Sequence, residues 1–89
     1  MQTYSISNNA EHTRFETRVD GHLAVLDYTL REGVMQIDYV SVPHEIGGRG
    51  IGGALVKAAV DWANEQGLRI HAICGFARSA IEKMNGKQG

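Results

Sequence analysis

From Thr13 onward apolar and polar residues alternate. Phe15, Thr17 and Val19 fall in one phase and Arg14, Glu16 and Arg18 in the other, a period of two that predicts a strand. Asp20-Gly21 follows, the preferred pair for a two-residue hairpin turn because both positions require positive φ. His22–Leu30 is then the return strand, Arg31-Glu32-Gly33 a second tight connection, and Val34–Val42 a third strand. In this third strand Met35, Ile37 and Tyr39 share one phase while Val40 and Val42 share the other. A β-bulge at Tyr39-Val40 produces that slip, and so does a strand apolar on both faces.

Pro43, which has no N–H to donate, ends ladder pairing, and His44–Gly50 is a loop. The period then changes. Ile51, Leu55, Ala59, Trp62 and Ala63 form a helical stripe with Val56 and Val60 beside it, so Ile51–Gln66 reads as a helix. Lys57 and Asp61 lie on its polar side at pairing distance, and Gly67 is suited to terminate it. Leu68–Cys74 alternates again, a fourth strand, and a short helix over Ala77–Met84 precedes a Gly/Lys/Gln tail. Residues 1–12 are polar and carry Asn8-Asn9; they are either a frayed start or a short first strand. The fold class is α+β, ordered β-β-β-α-β-α. The helix between the last two strands is a crossover that makes them parallel, the hairpins are antiparallel, and the sheet is mixed.

At 89 residues one domain spanning 1–89 is expected, with 1–12 and 85–89 as its disordered ends. Net charge is −1 with no run of Lys or Arg, which argues against a nucleic-acid partner. A lone cysteine, Cys74, excludes an internal disulfide and a CxxC zinc site, and His12, His22, His44 and His71 are scattered. No stretch approaches the ~18 apolar residues of a membrane span, and the polar start is not a signal sequence, so a reduced cytoplasmic setting is expected.

Chemistry concentrates in one place. Gly47-Gly48-Arg49-Gly50-Ile51-Gly52-Gly53 places five glycines in seven residues at a strand-to-helix junction. Without Cβ atoms the backbone N–H groups can turn together toward a ligand, the helix adds its free first-turn N–H groups, and Arg49 adds a cation. Two glycines inside the helix each cost up to ~1 kcal/mol relative to Ala, which favours an anion cradle over a plain flexible connection. Gly48-x-Gly50-x-x-Gly53 matches the dinucleotide fingerprint, but Ile73-Cys74 stands where an acidic residue is wanted. The Gly-Lys-Ser/Thr of a phosphate-loop NTPase is absent.

With its Val42-Pro43 lead-in and following helix, the loop resembles the acetyl-CoA loop of the GCN5-related N-acetyltransferases. The family's Gln/Arg-x-x-Gly-x-Gly/Ala falls on Gly47–Gly52, with Gly50 and Gly52 matching and Gly47 in place of Gln or Arg. Val42-Pro43, Glu45, Gly50-Ile51-Gly52, Ala54-Leu55-Val56 and Cys74 with Phe76 are similar to a branch of small stand-alone domains, from about Phe15 to Lys83. The resemblance implies an acetyl-CoA cofactor, its pyrophosphate on Gly47–Gly53 and its pantetheine arm along Tyr39, Val40 and Val42. It also implies that Val34–Val42 and Leu68–Cys74 splay at the bulge.

Acetyl transfer needs a deprotonated amine, a polarised thioester carbonyl and a proton for the departing thiolate. Full-sized relatives use a Glu with ordered water as base and a late Tyr as acid; no Tyr follows Tyr39 here. Cys74 is the available alternative to that acid. It ends a strand and precedes a helix whose N-terminus favours a thiolate, which suits an acid or a nucleophile; equally, it is in phase with Leu68, Ile70 and Ala72 as a small buried hydrophobe. Asp27 and Asp38 could serve as bases or decorate an exposed strand face, His71 reads as solvated, and His44 and Glu45 flank the loop. The functional expectation is an N-acetyltransferase whose amine acceptor (protein, peptide or small molecule) is undefined. The alternative is a non-catalytic CoA-binding sensor or scaffold. Either is expected to be a monomer or weak homodimer.

Overall fold

The computed structural model describes residues 4–86. Five strands and two helices succeed one another as β1 (Ser7–Asn9), β2 (Arg14–Val19), β3 (His22–Arg31), β4 (Val34–Ser41), α1 (Ile51–Glu65), β5 (Arg69–Ala72) and α2 (Gly75–Gly86). Short 3-10 turns stand at Ala10–His12 and His44–Ile46. The sheet is ordered β1-β2-β3-β4-β5, antiparallel up to β4 and parallel between β4 and β5. This is the mixed α+β arrangement expected from the periodicities, and of the two readings of residues 1–12 the short first strand is the one found, a fifth beside the four in the expected order.

The additional strand is β1. Asn is poor in strands, yet Ser7–Asn9 pairs with Arg14–Glu16, and the Tyr28 hydroxyl donates to Asn8 Oδ1 at 2.7 Å from two strands away. Of the ends expected to be disordered, residues 1–3 and 87–89 lie outside the described residues. The last helix is longer than its apolar spacing suggested, Gly75–Gly86 rather than Ala77–Met84, and β5 is shorter, Arg69–Ala72.

Both hairpins close through two residues with positive φ: Asp20 and Gly21 at 50° and 79°, Glu32 and Gly33 at the same values. These turns match the right-handed twist of the flanking strands, and they fix the register Val19↔His22 and Arg31↔Val34. One face of the sheet then carries Phe15, Ala24, Leu26, Tyr28, Met35 and Ile37, all buried. The other phase stays half-buried or exposed.

Against the buried face lies α1, burying Ile51, Leu55, Val56, Ala59 and Ala63. Trp62 packs edge-on to Phe15 and tilted to Tyr28, with ring centroids 5.8 and 5.7 Å away. Fully burying one of these large apolar side chains is worth about 1.5–3 kcal/mol, so this interface dominates the fold. The helix ends as Gly67 predicts. With φ at +72°, Gly67 donates its N–H to Asn64 O (3.2 Å) and Leu68 donates to Ala63 O (2.8 Å), a Schellman closure. Lys57 and Asp61 pair at 2.9 Å one turn apart.

Candidate functional site

The bulge is present, one residue earlier than the apolar letters placed it. Asp27 pairs with Tyr39 but Tyr28 pairs with Ile37, leaving Asp38 as the extra residue of β4. Beyond it the inward phase changes. Met35 and Ile37 are buried before the bulge; after it Val40 and Val42 face the core half-buried, while Tyr39 is 50% exposed. Asp38 accepts hydrogen bonds from Thr29 Oγ1 at 2.7 Å and Gln36 Nε2 at 2.8 Å, which anchors the bulge.

The same residue marks where β4 and β5 part. Their parallel ladder runs from Val34↔Arg69 to Ile37↔Ala72 and ends there, although β4 continues to Ser41. The Ile37 carbonyl closes the ladder by accepting from both Ile73 N–H (3.0 Å) and Cys74 N–H (3.4 Å). Past this point β4 has a strand on its β3 side only, so half of its backbone polar groups over Tyr39–Ser41 face a gap.

From the gap, β4 runs on into the glycine-rich loop. Ile46, fully buried, pins the 3-10 turn before it, and the Gly47 N–H folds back onto His44 O at 3.1 Å. Gly48 and Gly50 both adopt φ of +76°, which side-chain-bearing residues rarely occupy, so the chain reverses there and enters α1. Gly50 is the N-cap: its carbonyl accepts the first helical bond, from Ala54, at 3.0 Å. No side chain caps this helix end and no acidic residue lies in its first turn. Ile51, Gly52 and Gly53 therefore present N–H groups without intrahelical partners, at the positive end of the dipole.

Two loop residues have roles the letters did not reveal. Arg49 extends to the β2–β3 hairpin, where Nη1 lies 2.8 Å from Asp20 Oδ2, while its backbone carbonyl accepts from the Tyr4 hydroxyl at 2.6 Å. These braces join residues 29 and 45 positions apart, beyond any local pattern. Gly52 is covered by the ring of Phe76: a Cβ there would lie 2.7 Å from Cζ and 2.9 Å from Cε2. Its missing side chain thus lets the N-terminal turns of α1 and α2 meet. Gly53 has open space at the Cβ position, nothing lying within 4 Å.

Cys74 lies between β5 and α2. It follows β5, and its carbonyl accepts the first α2 bond, from Arg78, at 3.0 Å. Its thiol-bearing side chain is half-buried at the core's rim, neither enclosed nor fully exposed. Phe76, two residues on and 51% exposed, lays its ring over Gly52 in the first turn of α1. The other sequence candidates are dispersed: Asp27 lies 3.6 Å from Arg14, Glu45 lies 4.0 Å from His22, and His44 and His71 are exposed. Among the described residues no group of His, Cys, Asp and Glu could hold a metal ion, and no helix is long and apolar enough to cross a membrane.

β4 past Ile37, unpaired on one side, thus leads through the glycine loop to the free N–H groups in the first turn of α1, and the half-buried Cys74 follows the strand that ends at the gap. This arrangement suits a long ligand with an anionic centre and an extended, amide-bearing arm.

Comparison with known proteins agrees. The family model for GCN5-related N-acetyl-transferase matches residues 14–87. Protein NATD1 of Bos taurus is 28% identical over 81 residues, spanning 88% of this chain and 72% of its own length. The Mus musculus form is 27% identical, over 88% and 74%. A GCN5-like protein of Staphylococcus aureus, solved in solution by NMR, superposes with a TM-score of 0.73 at 33% identity, covering 99% of this chain and 87% of that one. The chain belongs to the GCN5-related N-acetyltransferase family.

Proposed function

We propose that this protein is an N-acetyltransferase that takes its acetyl group from acetyl-CoA, and that Cys74 takes part in the transfer. The observation that carries the reading is the parting of β4 from β5 at Ile37, on the strand that leads into an uncapped helix N-terminus beginning in glycines. Backbone N–H groups of Gly48–Gly53 would hold the pyrophosphate at the positive end of the helix dipole, where no side chain caps the helix, while Gly47, its N–H engaged by His44 O, would shape the entry to the loop. The free backbone at Tyr39, Val40 and Val42 would pair with the amides of the pantetheine arm, as an added strand does. Gly48 and Gly50 suit the cradle by their positive φ, and Gly53 by its open Cβ position.

When bound, acetyl-CoA supplies a thioester activated toward amines. The chain then has three tasks: to orient that carbonyl in the gap, to exclude water from it, and to manage the proton of the departing thiolate. Cys74, the one cysteine of the chain, follows β5 where the ladder with β4 ends. It can serve as the acid toward that thiolate, or as a nucleophile that carries the acetyl group before the amine takes it.

Incubation with labelled acetyl-CoA and a panel of peptide and small-molecule amines tests this. The wild type is expected to yield acetylated amine, and Cys74→Ala to lose at least tenfold in rate while retaining CoA affinity. An acetyl group trapped on Cys74 would assign the nucleophile role. CoA binding with no product from any amine would instead favour a sensor or scaffold.

A further inference from the structure

A hollow of about 370 Å³ lies between the tip of the β2–β3 hairpin, the Tyr4–Ser5 segment and the glycine-rich loop. Tyr4, Ser5, Thr17, Arg18, Asp20 and Arg49 line it. The acetyl-transfer reading makes no use of it, yet it adjoins the loop through Arg49. That residue sits among the glycines while its guanidinium reaches the hairpin, 2.8 Å from Asp20. Its charge is delivered to the wall of the hollow rather than over the loop amides. Arg18 adds a second guanidinium, held among the described residues by a long 3.4 Å contact from Nη1 to Gly21 O. Both cations sit at the surface, and an exposed ion pair such as Arg49–Asp20 is weak enough to be exchanged for a stronger anion.

The Arg49–Asp20 contact places the hairpin beside the loop. β5 lies at one edge, and β3 and β2 lie on the other side of β4. A linear molecule with one end in the β4–β5 gap and its centre on the loop amides can place its far end at the hairpin, which Arg49 joins to the loop. Beyond its pyrophosphate, CoA carries an adenosine with a 3′-phosphate, a second, separate anion. Building on the acetyl-CoA reading above, we propose that this hollow is the subsite for the 3′-phosphoadenosine end of CoA. Arg18 and Arg49 meet the phosphomonoester, and Asp20 holds Arg49 in readiness until the phosphate displaces it.

Calorimetric titration of CoA and dephospho-CoA, which lacks only that phosphate, tests the assignment on the full chain. The wild type is expected to bind CoA about tenfold more tightly at low ionic strength, a difference of about 1.4 kcal/mol, and the preference should narrow with added salt. Arg18→Gln and Arg49→Gln should each bring the ratio toward one. Asp20→Asn, which retains a residue tolerant of positive φ, should widen it by removing the competing carboxylate. Equal affinity of the wild type for both nucleotides overturns the subsite and leaves the acetyl-CoA reading intact. So does a tenfold ratio that survives in both arginine variants. Failure of both nucleotides to bind overturns the reading and the subsite together.

Discussion

Two adjacent glycines in the first turn of α1 should respond in opposite ways to the same methyl group. At Gly53 a Cβ meets nothing within 4 Å, and φ is not positive. Gly53→Ala therefore gains helix propensity, about 0.5–1 kcal/mol, and in a domain of this size that raises Tm by about 2–8 °C. At Gly52 the same gain is opposed. The new Cβ would lie 2.7 and 2.9 Å from ring atoms of Phe76, well inside contact distance. The ring is half-exposed and can swing outward, but it then loses the surface it covers. Half of a phenylalanine's burial is about 0.7–1.5 kcal/mol, which cancels the propensity gain or exceeds it. Gly52→Ala is expected to leave Tm unchanged or lower it slightly.

Ligand affinity divides the pair again. A helical Cβ leans toward the N-terminus, so the methyl of Gly53→Ala projects into the space before the first turn, where the pyrophosphate would rest. Loss of one charge-assisted hydrogen bond, about 1.5–3 kcal/mol, corresponds to about 10- to 100-fold weaker CoA binding. Thermal melting and calorimetric titration of both variants give the answer. A more stable Gly53→Ala with weaker CoA affinity supports the reasoning. A less stable Gly53→Ala refutes the packing argument, and unchanged CoA affinity in that variant refutes the role of the turn in binding.

Three further outcomes follow from the fold. Gly67→Ala forces a side chain to φ of +72° in the Schellman closure and should cost about 1–2 kcal/mol, read as a lowered urea midpoint at unchanged m-value. Leu55→Ala removes a fully buried side chain from the α1–sheet interface and should cost about 2–5 kcal/mol, enough to leave part of the population unfolded at 37 °C. Burial pushes the Tyr28 phenol above its ordinary 10.0, the hydrogen bond to Asn8 offsetting this in part. Because the folded state holds that proton more tightly, Tyr28 contributes stability that is complete below pH 10 and lost as pH rises through the folded value. Denaturation followed from pH 8 to 11 should show this decline, and Tyr28→Phe should flatten it.

The strands from Phe15 onward, both hairpins and α1 were legible because each rests on local chemistry: a period, a turn dipeptide, a terminating glycine. Three features were not. β1 is written in polar letters and exists because β2 offers it an edge and Tyr28 reaches Asn8. The bulge was visible as a change of phase, but the letters cannot say which residue is the extra one. Only the pairing with Asp27 and Tyr28 identifies Asp38. In the loop, sequence reasoning gave all five glycines one purpose. Gly48 and Gly50 owe their identity to backbone conformation and Gly52 to the Phe76 ring, while Gly53 has neither reason in the fold. Arg49 read as a cation for the loop, and its partner Asp20 lies on a hairpin that only the tertiary fold brings near.

The central claim is that the glycine loop and the parting of β4 from β5 form one acetyl-CoA site. Titration of isotope-labelled protein with acetyl-CoA, followed through the amide resonances, tests it most directly. The account predicts saturable shifts at Gly47–Gly53 together with Tyr39–Val42, while the remote Glu32-Gly33 turn stays still. Silence of the loop amides at millimolar acetyl-CoA, or shifts that avoid β4, would contradict it.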